Sequence, residues 1–155
     1  MSIGRLTWPK NRVVATPLMN KEPSTELPIE GEGDIVLARR AARQLAQEVG
    51  FGPTDVTRIV TACSEMARNV FKYAGQGKMS WRILEGDSGP GLELKFDDRG
   101  PGIADIETAM REGYSSSGGL GMGLPGAKRL MDEFRIDSTI GRGTSVVLKK
   151  WLRRP

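Results

Sequence analysis

Apolar and polar residues alternate from Gly91 to Asp98, so Leu92, Leu94, Phe96 and, by the same parity, Asp98 share one face of a strand. Lys78–Glu85 alternates as well, with Met79, Trp81 and Ile83 on one side, and the Gly86–Gly91 cluster turns it back as a hairpin. Two earlier segments have helical spacing instead. Asp34 is expected to cap a helix with Ile35, Ala38, Ala42, Leu45 and Val49 on one stripe, closed by Gly50. Thr54 or Asp55 caps a second, running to about Ala74, whose core stripe is Val56, Ile59, Val60, Cys63, Ala67 and Val70. A third stripe joins Leu124, Ala127, Leu130, Met131 and Phe134. Glu26–Glu30 reads as a short edge strand and Asp105–Glu112 as a short helix. Arg135–Ile140 and Thr144–Trp151 form a terminal hairpin about Gly141–Gly143. Helices, hairpin, helices, hairpin is the order of an α+β fold: a two-layer sandwich, with a mostly antiparallel sheet carrying helices on one face.

The remaining stretches are irregular. Residues 1–24 hold Pro9, Pro17 and Pro23 without a sustained period and read as a flexible tail, with Met19 a possible natural start. Residues 25–155 then form the single domain expected of a 155-residue chain. Gly113–Gly119 has the composition of a hinged lid.

Composition removes several classes of chemistry. There is no histidine, which excludes His-containing triads, His-containing zinc sites and a phospho-accepting histidine on this chain. The lone cysteine, Cys63, excludes an internal disulfide and fits a reducing, cytoplasmic setting; its place on the core stripe makes it a buried small hydrophobe. No apolar run reaches membrane-spanning length, and no signal peptide is visible. The net charge of +4 divides unevenly: Arg5, Lys10 and Arg12 contribute +3 in residues 1–18, leaving +1 elsewhere. Lys149, Lys150, Arg153 and Arg154 crowd the other terminus, so the body is slightly acidic. No basic stripe is interleaved with aromatics, and neither nucleic acid nor membrane is expected as a partner.

The candidate chemistry centres on residues 98–124. An aspartate ending an apolar row faces a desolvation cost unless something donates to it, and Asp98 suits a neutral donor such as the amino group of adenine. Gly100 and Gly102 leave room for a flat ligand near the backbone. Gly119, Gly121 and Gly123 open the third helical stripe at Leu124, where free N–H groups and the helix dipole suit phosphate. On spacing alone, a flexible turn before an ordinary amphipathic helix explains that loop equally well. Gly121–Gly126 fits a dinucleotide glycine pattern but follows a serine-glycine loop, not a strand, and no Gly-Lys-Ser/Thr follows any glycine loop. Glu65, Asn69 and Lys72 share a helix face at spacings of four and three; read alone, they are its wet side.

Four segments together resemble the N, G1, G2 and G3 boxes of the GHKL (Bergerat-fold) ATPase/kinase superfamily, in its order: Glu65-Met-Ala-Arg-Asn69, Asp98-Arg-Gly-Pro-Gly102, Gly119-Leu-Gly-Met-Gly-Leu124 and Gly143-Thr144. Within it, the short lid and the run Gly118–Phe134 resemble the switch-protein serine/threonine kinases of bacterial stressosome partner switching. The resemblance spans about Glu26 to Leu152. It implies ATP or ADP with Mg²⁺ as cofactors. Asn69 would hold the metal, Glu65 would be the general base, and Asp98 would take the adenine amino group. Gly100 and Gly102 would shape the base pocket, and Gly119, Gly121 and Gly123, with Leu124 after them, would close over the phosphates. Thr144 would finish the pocket, and Lys72 matches a lysine three residues after the asparagine in related histidine kinases. The implied substrates are STAS-domain antagonist or scaffold proteins, and the implied partner on release is a PP2C-type phosphatase. The alternative implied is a nucleotide-gated anti-sigma factor or binding module with little turnover.

Overall fold

The computed structural model describes residues 3–7, 13–15, 25–111 and 123–153. The elements are β1 (Ile3–Thr7), β2 (Val13–Ala15), β3 (Glu26–Ile29), α1 (Glu32–Val49), α2 (Pro53–Asn69), β4 (Gly77–Gly86), β5 (Gly89–Asp98), α3 (Ile106–Ala109), α4 (Gly123–Leu130), β6 (Glu133–Thr139) and β7 (Gly143–Trp151). The strands form one sheet in the order β1-β6-β7-β5-β4-β2, and β3 pairs with the other half of the same β4 edge. Every pairing is antiparallel.

Register explains the two faces. Met79 pairs with Phe96, Phe96 with Val146 and Val146 with Ile136, so one row of apolar side chains crosses four strands. Leu94, Leu148 and Phe134 make the next row. All of these belong to one core with Ala38, Ala42 and Ala46 of α1, the α2 stripe and Ala127 of α4, which puts the helices on that face. The opposite parity is largely ionic: Arg82 binds Glu93 at 2.8 Å, Lys149 lies between Glu93 and Glu133, and the Trp151 indole N–H donates to Glu133. The two-layer α+β arrangement agrees with the sequence pattern.

The α1 stripe is narrow because its fully buried members are alanines, which let α1 lie close to α2. Cys63 Sγ sits 3.5 Å from the Ala38 carbonyl and 3.6 Å from Met79 Sδ, where the two helices meet the sheet. Burial pushes its thiol up to about 12, as befits an inert core residue.

Several boundaries differ from the sequence expectation. Asp34 is not the cap of α1; Gly31 is, and the Asp34 carboxylate reaches back to accept from the Glu30 N–H at 2.8 Å. Likewise α2 starts after Gly52 with Pro53 in its first turn, where a missing N–H costs nothing, while Asp55 pairs with Arg58. The second helix does not stay α-helical to Ala74: after Asn69 it widens into a π-helix, Val70–Ala74, and closes at Gly75. The third stripe stops at Leu130 instead of continuing to Phe134. There Lys150 Nζ caps the Leu130 carbonyl at 2.7 Å, Asp132 N–H donates to the Lys149 carbonyl, and β7 captures the chain. Phe134 reaches the core from β6. The helix expected over Asp105–Glu112 is one turn, Ile106–Ala109, capped by Asp105. Within the segment read as a tail, β1 lies along β6 and β2 along β4, extending the sheet at both ends.

Candidate functional site

A cavity of about 380 Å³ opens at the end of the helix face where β5 ends and β7 begins. That volume is within the usual range for a small organic ligand. Phe96 and Val146 supply its apolar floor from the sheet, and Met66, Asn69, Val70 and Tyr73 supply one wall from α2 and its π continuation. Residues 101–105 with α3 supply the facing wall, and Gly123 and Leu124 close one end.

Asp98 stands in this cavity because it ends the core-facing row of β5. One oxygen, Oδ1, accepts from the Gly100 N–H at 2.8 Å and from the Thr144 N–H at 3.3 Å. Among the described residues no donor reaches Oδ2, which is left for a ligand. Burial holds the Asp98 carboxyl above the usual carboxylate range; the Gly100 and Thr144 N–H groups pull it back, and Asp97 adds to the rise. The apolar walls, one carboxylate oxygen and the small volume suit a flat heterocycle with an amino donor.

Two glycines are required by neighbouring backbone. Gly102 has φ of 79°, and a Cβ there would overlap the Thr139 carbonyl. Gly143 has φ of 121°, and a Cβ there would overlap the Asp98 carbonyl. Gly100 acts differently: it does not line the cavity but packs on Ala74, where a Cβ would come within 2.7 Å of the alanine Cβ.

Asn69, Asp98, Gly102, Gly123, Leu124 and Thr144 therefore meet at one cavity, and Glu65, Lys72 and Gly100 do not line it. Glu65 is buried just behind the start of α4, with Oε2 accepting from the Gly123 N–H at 3.1 Å and Oε1 paired with Arg68 at 3.0 Å. Lys72 is exposed, its ammonium 5.0 Å from the Tyr73 ring centroid, because the wider π turn rotates position i+3 away from Asn69. Gly119 and Gly121, like the whole of the lid read over Gly113–Gly119, lie outside the described residues.

Sequence reasoning missed two residues here. Ser138 is buried beneath Thr144: its hydroxyl accepts from the Ile103 N–H at 2.7 Å and lies 2.9 Å from Thr144 Oγ1, joining the cavity wall to the start of β7. The signal was the same parity that exposed Asp98, since Ser138 follows Phe134 and Ile136 on a core-facing row. The other is Arg68, one turn after Glu65, which pairs with that buried carboxylate and carries no distinguishing signal in the sequence.

Among the described residues no group of three or more His, Cys, Asp or Glu side chains is placed to hold a metal ion. Asn69, whose amide has no protein partner among those residues, offers a single neutral oxygen at the cavity. That donor set fits a hard cation taking most of its ligands from phosphate and water, as Mg²⁺ does.

Comparison with known proteins bears on the same residues. The profile of the histidine kinase-like ATPase domain matches residues 30–150. The serine/threonine-protein kinase RsbT of Bacillus subtilis (strain 168) is 51% identical over 122 residues, 79% of this chain and 92% of that protein. The anti-sigma F factor of Clostridium novyi (strain NT) is 32% identical over 125 residues, 75% and 85% of the two chains. The solved structure of the mycobacterial sensor histidine kinase MprB superposes with a TM-score of 0.50 at 20% identity, covering 83% of this chain and 98% of that one, a likeness of fold.

Proposed function

The chain belongs to the histidine kinase-like ATPase domain family, and from that premise we propose that it is an ATP-dependent serine/threonine protein kinase of a partner-switching pathway. The observation that carries the reading is Asp98: Oδ1 is locked by two backbone N–H groups and Oδ2 is left at an apolar cavity. Adenine meets both conditions, with its amino group on Oδ2 and its ring against Phe96 and Val146. Gly102 and Thr144 border the base, and the N–H groups at the start of α4 suit the phosphates. In the same reading Gly119 and Gly121 belong to the phosphate loop, Gly100 holds the base-side loop against Ala74, and Lys72, over the Tyr73 ring, is available to the phosphates only if its exposed side chain swings inward. Asn69 would hold Mg²⁺ through its amide oxygen, and the metal would supply charge neutralisation for the transferring phosphoryl group. Glu65 is the general base for the attacking hydroxyl.

The acceptors we infer are serine or threonine residues on STAS-domain proteins, and a PP2C-type phosphatase is the partner after release. Among the described residues no helix is long and apolar enough to cross a membrane, and the unpaired Cys63 suits work in the cytoplasm. The test is transfer of labelled γ-phosphate from ATP to a recombinant STAS-domain protein encoded beside this chain's gene. Acid-stable phosphoester on that protein is the expected product. A second reading, nucleotide-gated binding with little turnover, draws on the anti-sigma F relatives and predicts stable complexes without label.

A further inference from the structure

We propose that Arg68 is the positioning residue of the phosphoryl-transfer base, an inference that rests on the kinase reading above. Glu65 has a side chain only 8% exposed, and its two oxygens have partners of different kinds. Oε1 pairs with Arg68 Nη1 at 3.0 Å, and Oε2 accepts from the Gly123 N–H at 3.1 Å. Arg68 is one turn along the same helix, so its hold on Oε1 does not depend on anything at the cavity. Its Nη2 also lies 3.5 Å from Ser64 Oγ, so Ser64 and Glu65 bracket the guanidinium from the preceding turn. Gly123, by contrast, opens α4, and its N–H is one that an arriving phosphate would claim.

Those two partners assign the oxygens two jobs. When phosphate takes the Gly123 N–H, Oε2 is released and Oε1 stays bound to Arg68. A buried carboxylate that lost both partners would be free to swing away toward water. With the guanidinium in place, Oε1 stays held and the carboxylate keeps its orientation. The acceptor hydroxyl oxygen then bonds to the γ-phosphorus as its proton passes to Oε2. The bond from the γ-phosphorus to its bridging oxygen breaks, and that electron pair leaves with ADP. An exposed i,i+3 ion pair would contribute little, but here one member is buried, so removing the other leaves a buried charge unpaired.

The experiment compares wild type, Arg68→Ala and Arg68→Lys. It reads steady-state transfer from ATP to the recombinant STAS-domain protein, with ADP calorimetry and thermal melting on each variant. Arg68→Ala is expected to lower kcat about tenfold or more, a share of what a general base supplies. Its KM for ATP and its ADP affinity should stay within about twofold of wild type, and Arg68→Lys should recover part of kcat. Wild-type kcat in Arg68→Ala overturns the proposal. So does a fall in kcat matched by an equal loss of ADP affinity that lysine does not repair, which would make Arg68 a structural brace. A wild-type chain that binds ADP and transfers nothing overturns the kinase reading and this inference with it. An active wild type beside an equally active Arg68→Ala overturns the inference alone.

Discussion

Asp98 shows how much one side chain can carry. Asp98→Asn would keep its amide oxygen where Oδ1 now accepts from Gly100 and Thr144, which turns the NH₂ toward the cavity. A donor would then face the adenine amino donor, and ADP affinity should fall by about 1–3 kcal/mol, read by calorimetry. Unchanged affinity would remove Asp98 from the site. Stability should move the other way. The folded carboxyl is held above its ordinary range by burial, so its protonated form favours the fold at low pH, and that contribution is lost as pH rises through the raised value. Relative to Asp98→Asn, the wild type should therefore lose melting temperature between acidic and neutral pH. Strand parity made Asp98 legible from sequence, and the same parity applied to β6 would have found Ser138. Arg68 was not legible, because nothing in its spacing distinguishes a wet ion pair from one whose carboxylate is covered by α4. Lys72 was misplaced for a similar reason: three residues after Asn69 is a shared face only in an α-helix, and the chain is a π-helix there.

Elements were more legible than their ends. Periodicity found the long helices and the strands from Glu26 on because each buries one stripe or face, but caps depend on single backbone groups. Gly31 and Gly52 start α1 and α2, although Asp34, Thr54 and Asp55 were better capping residues by type. Phe134 satisfies a helical stripe and a strand face equally, and only pairing with β7 decides between them. The alanine stripe of α1 gives an element-scale prediction. Ala42 is fully buried against the core, so Ala42→Leu should overpack the helix interface and destabilise by about 1–3 kcal/mol. A lower urea midpoint with an unchanged slope is the expected result, and an unchanged midpoint would mean the interface has room that the packing denies.

For the whole molecule, the register of the sheet aligns the end of β5 with the start of β7 so that Asp98 and Thr144 face each other across one rung. The helix layer then needs only the π turn and the start of α4 to complete a cavity. The two N-terminal strands were invisible to sequence reading because Pro9, Pro17 and the short apolar runs break any period; they add backbone pairing at edges already formed. Removing residues 1–18 should lower both the urea midpoint and its slope, since less surface is buried, with the Asp98 side of the cavity left intact. Equal midpoints would show that β1 and β2 contribute no stability. The central claim is that a buried glutamate beside a nucleotide cavity drives phosphoryl transfer to another protein, and Glu65→Gln tests it most directly. The substitution keeps the shape of Glu65 while removing the proton acceptor. Transfer from labelled ATP to the STAS-domain protein should fall roughly 10²-fold or more in Glu65→Gln, with ADP affinity little changed. Transfer at the wild-type rate would contradict the account.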